Sequence, residues 1–314
     1  IYYGTTTDFV LGGVLDAEKI SGMEELLKFV FLLAFVGFGT KAAVFPMYAW
    51  LPAASVAPTP VTALLHAVAV VNAGAYAVLR VIYYSFGASF LYGTWAQTVA
   101  LLLSCFTILF GSTMAVREQH FKRRLAYSTI SNLSYMLMGA ALMTPDGMTG
   151  SLSHLVIHGV IKITLFYCAG AILIKTGKEY VQDLRGYSRI MPATCGIFLL
   201  GSIALVGTPP LAGFVSKWNL LTAASATGLP MGTVAIVCLI ISAILTAIYL
   251  FTAALPMYFR PLNADQAQLA GQKLDPSWMM LVPMGILCAL MIGLGLWSQP
   301  LVTFLRNISA GVIF

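Results

Sequence analysis

Six side chains able to carry a proton stand inside or beside long apolar runs: Lys41, His66, His154, His158, Lys162 and Lys217. Lys41 follows the run 29–39, Lys162 lies in the middle of the segment 148–175, and Lys217 comes seven residues after Pro210. A lysine at the centre of a membrane helix costs about 2.5–3.5 kcal/mol on insertion scales, so three of them call for a use. His154, His158 and Lys162 recur at steps of four, which drift by only ~40° on a helix and so make one stripe about 12 Å long. A stripe of titratable groups inside a helix bundle is what a proton relay needs. His66, in Leu64-Leu65-His66-Ala67, taken alone reads more readily as a packed histidine.

The remaining chemistry is narrowed by what the chain lacks. A zinc site on His154 and His158 would want the glutamate of an HExxH motif, and residue 155 is leucine. All eleven Asp and Glu fall in predicted loops or helix ends, so no carboxylate of this chain is placed to pair with the three lysines. Either burial keeps the lysines largely neutral or their partner belongs to another helix or subunit, and both suit proton transfer. Cys105, Cys168, Cys195, Cys238 and Cys288 are scattered singly through apolar stretches, without CxxC or Cys/His spacing, and read as packing residues. The expectation is no metal and no cofactor held by this chain.

These groups sit in an apolar framework. The chain has 314 residues, 59% of them apolar and 9% charged, where an ordinary globular protein carries roughly 25% charged residues. Its mean hydropathy is +0.89. A soluble surface cannot be built from so few charges, which excludes water-soluble enzymes and implies an all-α polytopic membrane protein. The net charge of +6 is not gathered into a basic, aromatic-interleaved face, so no nucleic acid is expected. Spanning a bilayer takes about 20 mostly apolar residues, and eight stretches qualify: 25–46, 59–84, 94–115, 125–143, 148–175, 190–224, 231–258 and 278–297. The positive-inside rule places the basic loops 117–124 and 175–189 in the cytoplasm, and the two segments between them return the chain to the same side. The acidic stretch 1–24 then reads as an exterior loop and 259–277 as a cytoplasmic one. No initiator Met or signal peptide is visible, which suggests a start inside a longer protein or after processing.

Two of the eight stretches are interrupted. The first ends in Phe45-Pro46-Met47-Tyr48-Ala49-Trp50-Leu51-Pro52, and the sixth contains Gly207-Thr208-Pro209-Pro210. Proline removes a backbone donor and clashes with the preceding turn, and the groups it frees at membrane depth must face protein or water. Discontinuous helices at related places in two halves point to a transport site.

In order along the chain, Lys41 to Arg80, with Pro46 to Pro52 and Ala57-Pro58-Thr59-Pro60-Val61-Thr62-Ala63-Leu64-Leu65-His66-Ala67, then Phe121 to Met136, the His154/His158/Lys162 segment, and Pro209 to Lys217, resemble the antiporter-like subunits of respiratory complex I. The same family includes Mrp-type sodium/proton antiporters and the membrane arms of energy-converting hydrogenases. The resemblance covers roughly residues 25–260. It implies a pair of inverted five-helix repeats, each with one broken helix. It also implies that Lys41 is the pairing lysine of the first repeat, that His66, His154, His158 and Lys162 belong to a central hydrophilic axis, and that Lys217 lies on the second broken helix near the outer side. Some family members carry Glu at the last position. The family's helices before residue 25, one bearing the glutamate that pairs with the lysine matched by Lys41, are absent from this sequence, so the first repeat is incomplete.

The resulting division is an exterior loop (1–24), the last two helices of the first repeat (25–84), a complete second repeat (85–258), a cytoplasmic loop (259–277), and a C-terminal transmembrane helix and tail (278–314). The sequence thus predicts a proton-translocating subunit of a redox-driven membrane complex, of NADH-quinone oxidoreductase or hydrogenase type, in a prokaryotic inner membrane. Its partners would be other membrane and peripheral subunits and the lipid bilayer, with the redox centres held by those subunits. Alternatives are a Mrp-type Na+/H+ antiporter subunit, with Na+ as a further ion, and a non-conducting structural subunit.

Overall fold

A computed structural model describes residues 11–15, 20–55, 57–228, 230–263, 271 and 273–311. Most of the predicted exterior loop, including Asp8, Asp16 and Glu18, and the middle of the predicted loop 259–277 lie outside the described residues. The architecture is all-helical. In chain order it comprises α1 (Glu24–Gly39), α2 (Trp50–Ala54), α3 (Thr59–Ala67), α4 (Val70–Arg80) with a π-helical end (Val81–Phe86), α5 (Ala88–Leu91), α6 (Trp95–Arg117), α7 (Phe121–Ala141) and α8 (Pro145–Thr176), followed by α9 (Pro192–Val206), α10 (Ala212–Ala226), α11 (Pro230–Phe259), α12 (Trp278–Leu296) and α13 (Gln299–Ser309).

Local chemistry sets these boundaries. Thr144 accepts from the Gly147 N–H and Pro145 opens α8, a first-turn position where its missing donor costs nothing. Gly177, at φ +67°, closes the same helix in the left-handed conformation. Pro192 opens α9, and Asp275 accepts from the N–H groups of Ala193 and Thr194 and from the Thr194 hydroxyl, so a carboxylate meets the positive end of that helix.

Among the described residues, five helical stretches are long and apolar enough to cross a membrane: Thr59–Phe86, Trp95–Arg117, Pro145–Thr176, Pro230–Phe259 and Trp278–Leu296. α7 is not among them because it carries Lys122, Arg123, Arg124 and a series of Ser, Thr and Asn; it is instead the inner helix, buried along nearly its whole length. It packs between α6 and α8, while α8 also meets α3, α9, α10, α12 and α13. With α6 and α11 closing its other side, α7 gives the bundle a polar interior under an apolar coat. Lipid-like exposure is heaviest on α12, where Trp278, Met279 and Leu296 stand open.

Several expectations need correcting. The stretch 25–46 is not one helix: α1 ends at Gly39, and residues 40–49 turn before the short α2. The stretch 59–84 is broken after Ala67, at Val68 and Ala69. Val68 and Ala69 both donate to the Leu64 carbonyl, and the Asn72 side chain donates to the Ala67 carbonyl at 2.7 Å. That side-chain donor replaces a lost helix bond, which is why no proline is needed there. The predicted C-terminal tail contains α13, which buries Val302 and Leu305 and exposes Phe304. Finally, two bases assigned to a cytoplasmic loop are buried. Lys122 donates to the Ala57 carbonyl at 3.2 Å, and Arg124 donates to the carbonyls of Glu118 and Tyr249 and to the Thr252 hydroxyl.

The two basic loops do share one end of the bundle. The Phe121 N–H donates to the Glu179 carbonyl, the Val181 N–H to the Gln119 carbonyl, and His120 lies 3.4 Å from the Glu179 carboxylate.

Candidate functional site

Lys162 is fully buried on α8, and its ammonium donates to the Leu125 carbonyl at 2.9 Å and to Ser128 Oγ at 2.8 Å, both on α7. A lysine held by two oxygens, with no carboxylate beside it, is satisfied as a hydrogen-bond donor while its charge stays uncompensated. One turn back, His158 is buried with neither ring nitrogen hydrogen-bonded, and its ring stacks on His154 at 5.8 Å between centroids. His154 reaches α10, its Nδ1 lying 2.9 Å from Ser216 Oγ, and its ring meets Tyr135 edge-on at 5.4 Å. The predicted stripe is therefore real and faces the interior.

His66 joins this line. It is fully buried on α3, stacks on Phe166 of α8 at 4.8 Å and, like His158, has no partner for either nitrogen. Both rings lie within electrostatic reach of Lys162.

Lys217 closes the far end. Between α9 and α10 the chain turns through Gly207 at φ +94° and Pro209-Pro210, and the Lys217 ammonium reaches back to the carbonyls of Leu205 at 2.8 Å and Val206 at 3.0 Å. It also stands 5.3 Å above the centre of the Tyr135 ring, a cation–π arrangement. The two half-helices can approach this closely only because residue 213 is glycine: a Cβ there would lie 1.7 Å from the Ala204 carbonyl oxygen.

Lys41 departs from expectation. It follows α1 beside Gly74 of α4, but its side chain is exposed, and among the described residues its ammonium has no hydrogen bond or ion pair. Of the six predicted residues, five are gathered along α8 and its neighbours and Lys41 is not. Of the predicted breaks, Pro209 and Pro210 border the site, whereas Pro46 lies in the turn beyond Lys41.

Sequence reasoning missed the hydroxyl groups around the lysine. Ser128 Oγ lies 2.6 Å from Tyr249 Oη, Tyr135 Oη donates to Ser242 Oγ at 2.7 Å, and Ser112, Ser131 and Ser242 are mutually bonded. The available signal was the Ser/Thr/Asn content of 128–134 within an otherwise apolar chain. Among the described residues no three His, Cys, Asp or Glu side chains converge on a metal site.

Residues 3–246 match the sequence profile of the family described as NADH:quinone oxidoreductase/Mrp antiporter, TM. The chain belongs to this family. NADH-quinone oxidoreductase subunit N of Desulforudis audaxviator (strain MP104C) is 33% identical over 289 residues, covering 88% of this chain and 56% of that protein. Subunit L of Rickettsia conorii (strain ATCC VR-613 / Malish 7) is 36% identical over 239 residues, covering 74% of this chain and 35% of that one. The chain thus spans about half the length of the first of these relatives, or less. Respiratory complex I from Thermus thermophilus with bound NADH contains a chain that superposes with TM-score 0.76 at 25% identity, over 91% of this chain and 58% of that one. The family membership accounts for the all-helical membrane fold and for the order of the four motifs.

Proposed function

We propose that this chain is a proton-translocating, antiporter-like membrane subunit of a redox-driven complex of the NADH-quinone oxidoreductase or membrane-bound hydrogenase kind. The observation that carries the proposal is Lys162: a fully buried lysine with no carboxylate beside it among the described residues, in line with three buried histidines, of which two have no hydrogen-bond partner there. A structural subunit would gain nothing from that cost. Protons would pass among His66, Lys162, His158 and His154 and leave toward Lys217, with Lys41 the next group along the membrane. Lys41, exposed on this chain, would meet a carboxylate on an adjoining helix.

On this reading the chain crosses the membrane eight times, 85–258 forms a complete inverted repeat and 25–84 the end of another, with discontinuous helices at 39–50 and 206–212. The loops 117–124 and 175–189 would face the cytoplasm of a prokaryote. Redox cofactors would be held by peripheral partner subunits. In the assembled complex, Lys162→Ala abolishes proton uptake into vesicles while the subunits still co-purify; unaltered uptake would sink the reading.

One observation favours a second reading. A chain of the Mrp complex from Dietzia sp. DQ12-45-1b superposes with TM-score 0.80 at 24% identity, over 91% of this chain and 59% of that one, a likeness of fold. Translocation that needs Na+ and runs without an electron donor would make this a Na+/H+ antiporter subunit.

A further inference from the structure

Lys162 sits where two unlike sets of groups meet. Along its own helix lie His158 and His154, and His158 makes no hydrogen bond. Across the interface with α7, its ammonium opens a series of three hydroxyls, those of Ser128, Tyr249 and Thr246. Ser128 Oγ accepts from Lys162 at 2.8 Å and lies 2.6 Å from Tyr249 Oη, which is 3.4 Å from Thr246 Oγ1. The Thr246 hydroxyl in turn donates to the Ser242 carbonyl at 2.7 Å, where the series ends. The side chain of Ser242 belongs to a separate hydroxyl cluster, in which it accepts from Tyr135 at 2.7 Å and lies 2.5 Å from Ser112 and 3.1 Å from Ser131. Every one of these side chains is fully buried, and they come from three helices, α6, α7 and α11.

We propose that Ser128 and Tyr249 are positioning residues for Lys162, forming a hydroxyl relay whose direction of donation is set by whether Lys162 carries a proton. This rests on the proton-translocation reading above and deepens it. An ammonium has three N–H groups and no lone pair, so Ser128 accepts from it and turns its own hydrogen toward Tyr249, which donates onward to Thr246. A neutral amine has one lone pair; Ser128 then donates to it, Tyr249 donates to Ser128, and the sequence reverses. No proton is exchanged within the relay: each hydroxyl keeps its hydrogen and rotates about its C–O bond. Thr246 can accept from Tyr249 or leave it free while its own hydrogen stays on the Ser242 carbonyl, so the far end accommodates both directions. Linked hydroxyls in a low-dielectric interior polarise one another, which lets the state of Lys162 extend to α11.

Arg124 anchors the relay from the basic end of the bundle. Its Nη1 donates to the Tyr249 carbonyl and the Thr252 hydroxyl, both at 2.9 Å, and its Nε to the Glu118 carbonyl at 2.8 Å. The backbone of Tyr249 is thereby fixed relative to α7, and its phenol is held on Ser128.

The test uses the assembled complex carrying the full-length chain, with proton uptake into vesicles as the readout. Ser128→Ala and Tyr249→Phe should each slow uptake by about tenfold, the size expected for losing one hydrogen bond to a charged group. Ser128→Thr, which keeps the hydroxyl, should restore it. The double variant Ser128→Ala/Tyr249→Phe should be no slower than either single one, because both cut the same relay. Thr164→Val, which removes a hydroxyl bonded only within its own helix to the Val160 carbonyl, should change nothing. If Tyr249→Phe does not assemble, Thr246→Val cuts the relay one hydroxyl further on and should give the same loss. Normal uptake by Ser128→Ala and Tyr249→Phe, alongside abolished uptake by Lys162→Ala, overturns the relay and leaves the proton-translocation reading standing. Losses that multiply in the double variant also overturn it. Normal uptake by Lys162→Ala overturns the underlying reading itself.

Discussion

Two of the interruptions of this bundle, those after α1 and α9, end their first helices with different donors. After α9, the last carbonyls form the negative end of a helix dipole, and the Lys217 ammonium covers two of them, those of Leu205 and Val206. After α1, the Thr40 carbonyl is taken by the Trp50 indole N–H at 2.9 Å, the Thr40 hydroxyl donates back to the Val36 carbonyl at 3.1 Å, and the Phe45 N–H donates to Thr107 Oγ1 at 3.3 Å. The Lys41 backbone N–H donates to the Phe38 carbonyl at 3.2 Å, but its ammonium takes no part in this second arrangement. A helix end inside a membrane protein therefore needs donors but not a charge. The ammonium at the α9 end exceeds what the fold requires, and on the proposed proton-translocation reading that excess ties the 206–212 break to the chemistry.

The comparison breaks most readily at Lys217. Lys217→Met leaves the carbonyls of Leu205 and Val206 without their donor and removes the only cation above Tyr135 that the described residues show. Uptake in the assembled complex should be lost, and the melting of the purified complex should report destabilisation of about 1–3 kcal/mol from the unpaired carbonyls. Uptake that persists would reduce Lys217 to a helix cap and erase the distinction between the breaks. Gly213→Ala attacks the same end by geometry. A Cβ placed 1.7 Å from the Ala204 carbonyl forces α9 and α10 apart, at about 1–3 kcal/mol for an overpacked contact, and should lower the yield of assembled complex.

Much of this contrast is legible in the amino-acid sequence alone. The step of four in His154, His158 and Lys162 specifies one helix face, and α8 presents it to the interior. Pro209 and Pro210 announce the second break, because proline denies the helix its donor. The break after Ala67 is invisible at that level, since it is made by the Asn72 amide reaching the Ala67 carbonyl, a contact between residues with no breaker sequence between them. Lys122 and Arg124 are misplaced for a related reason: a base next to a loop looks solvated unless the carbonyls that receive it, of Ala57, Glu118 and Tyr249, are known. The hydroxyl relay is hidden because Ser242, Thr246 and Tyr249 lie more than a hundred residues from Ser128 and are unremarkable in their own apolar helix.

Smaller effects sharpen the comparison from the other break. Trp50→Phe keeps the ring and deletes the N–H that serves the Thr40 carbonyl. A neutral hydrogen bond of this kind is worth about 0.5–1.5 kcal/mol, so the melting temperature should fall modestly while uptake stays within about twofold of normal. A loss of uptake as deep as that of Lys217→Met would mean that the first break is as functional as the second.

Lys41→Met asks the converse question with the smallest structural disturbance. The side chain is exposed and its ammonium is unpaired among the described residues, so stability should move by no more than about 0.5 kcal/mol. An exposed lysine beside the exposed apolar side chains Phe38 and Met47 is not a cap and not a core group. If it matters, it matters as a charge presented to whatever adjoins this face. Uptake that drops while melting stays unchanged would place Lys41 on the proton path without any role in the fold. Uptake and melting both unchanged would confine the path to the line from His66 to Lys217.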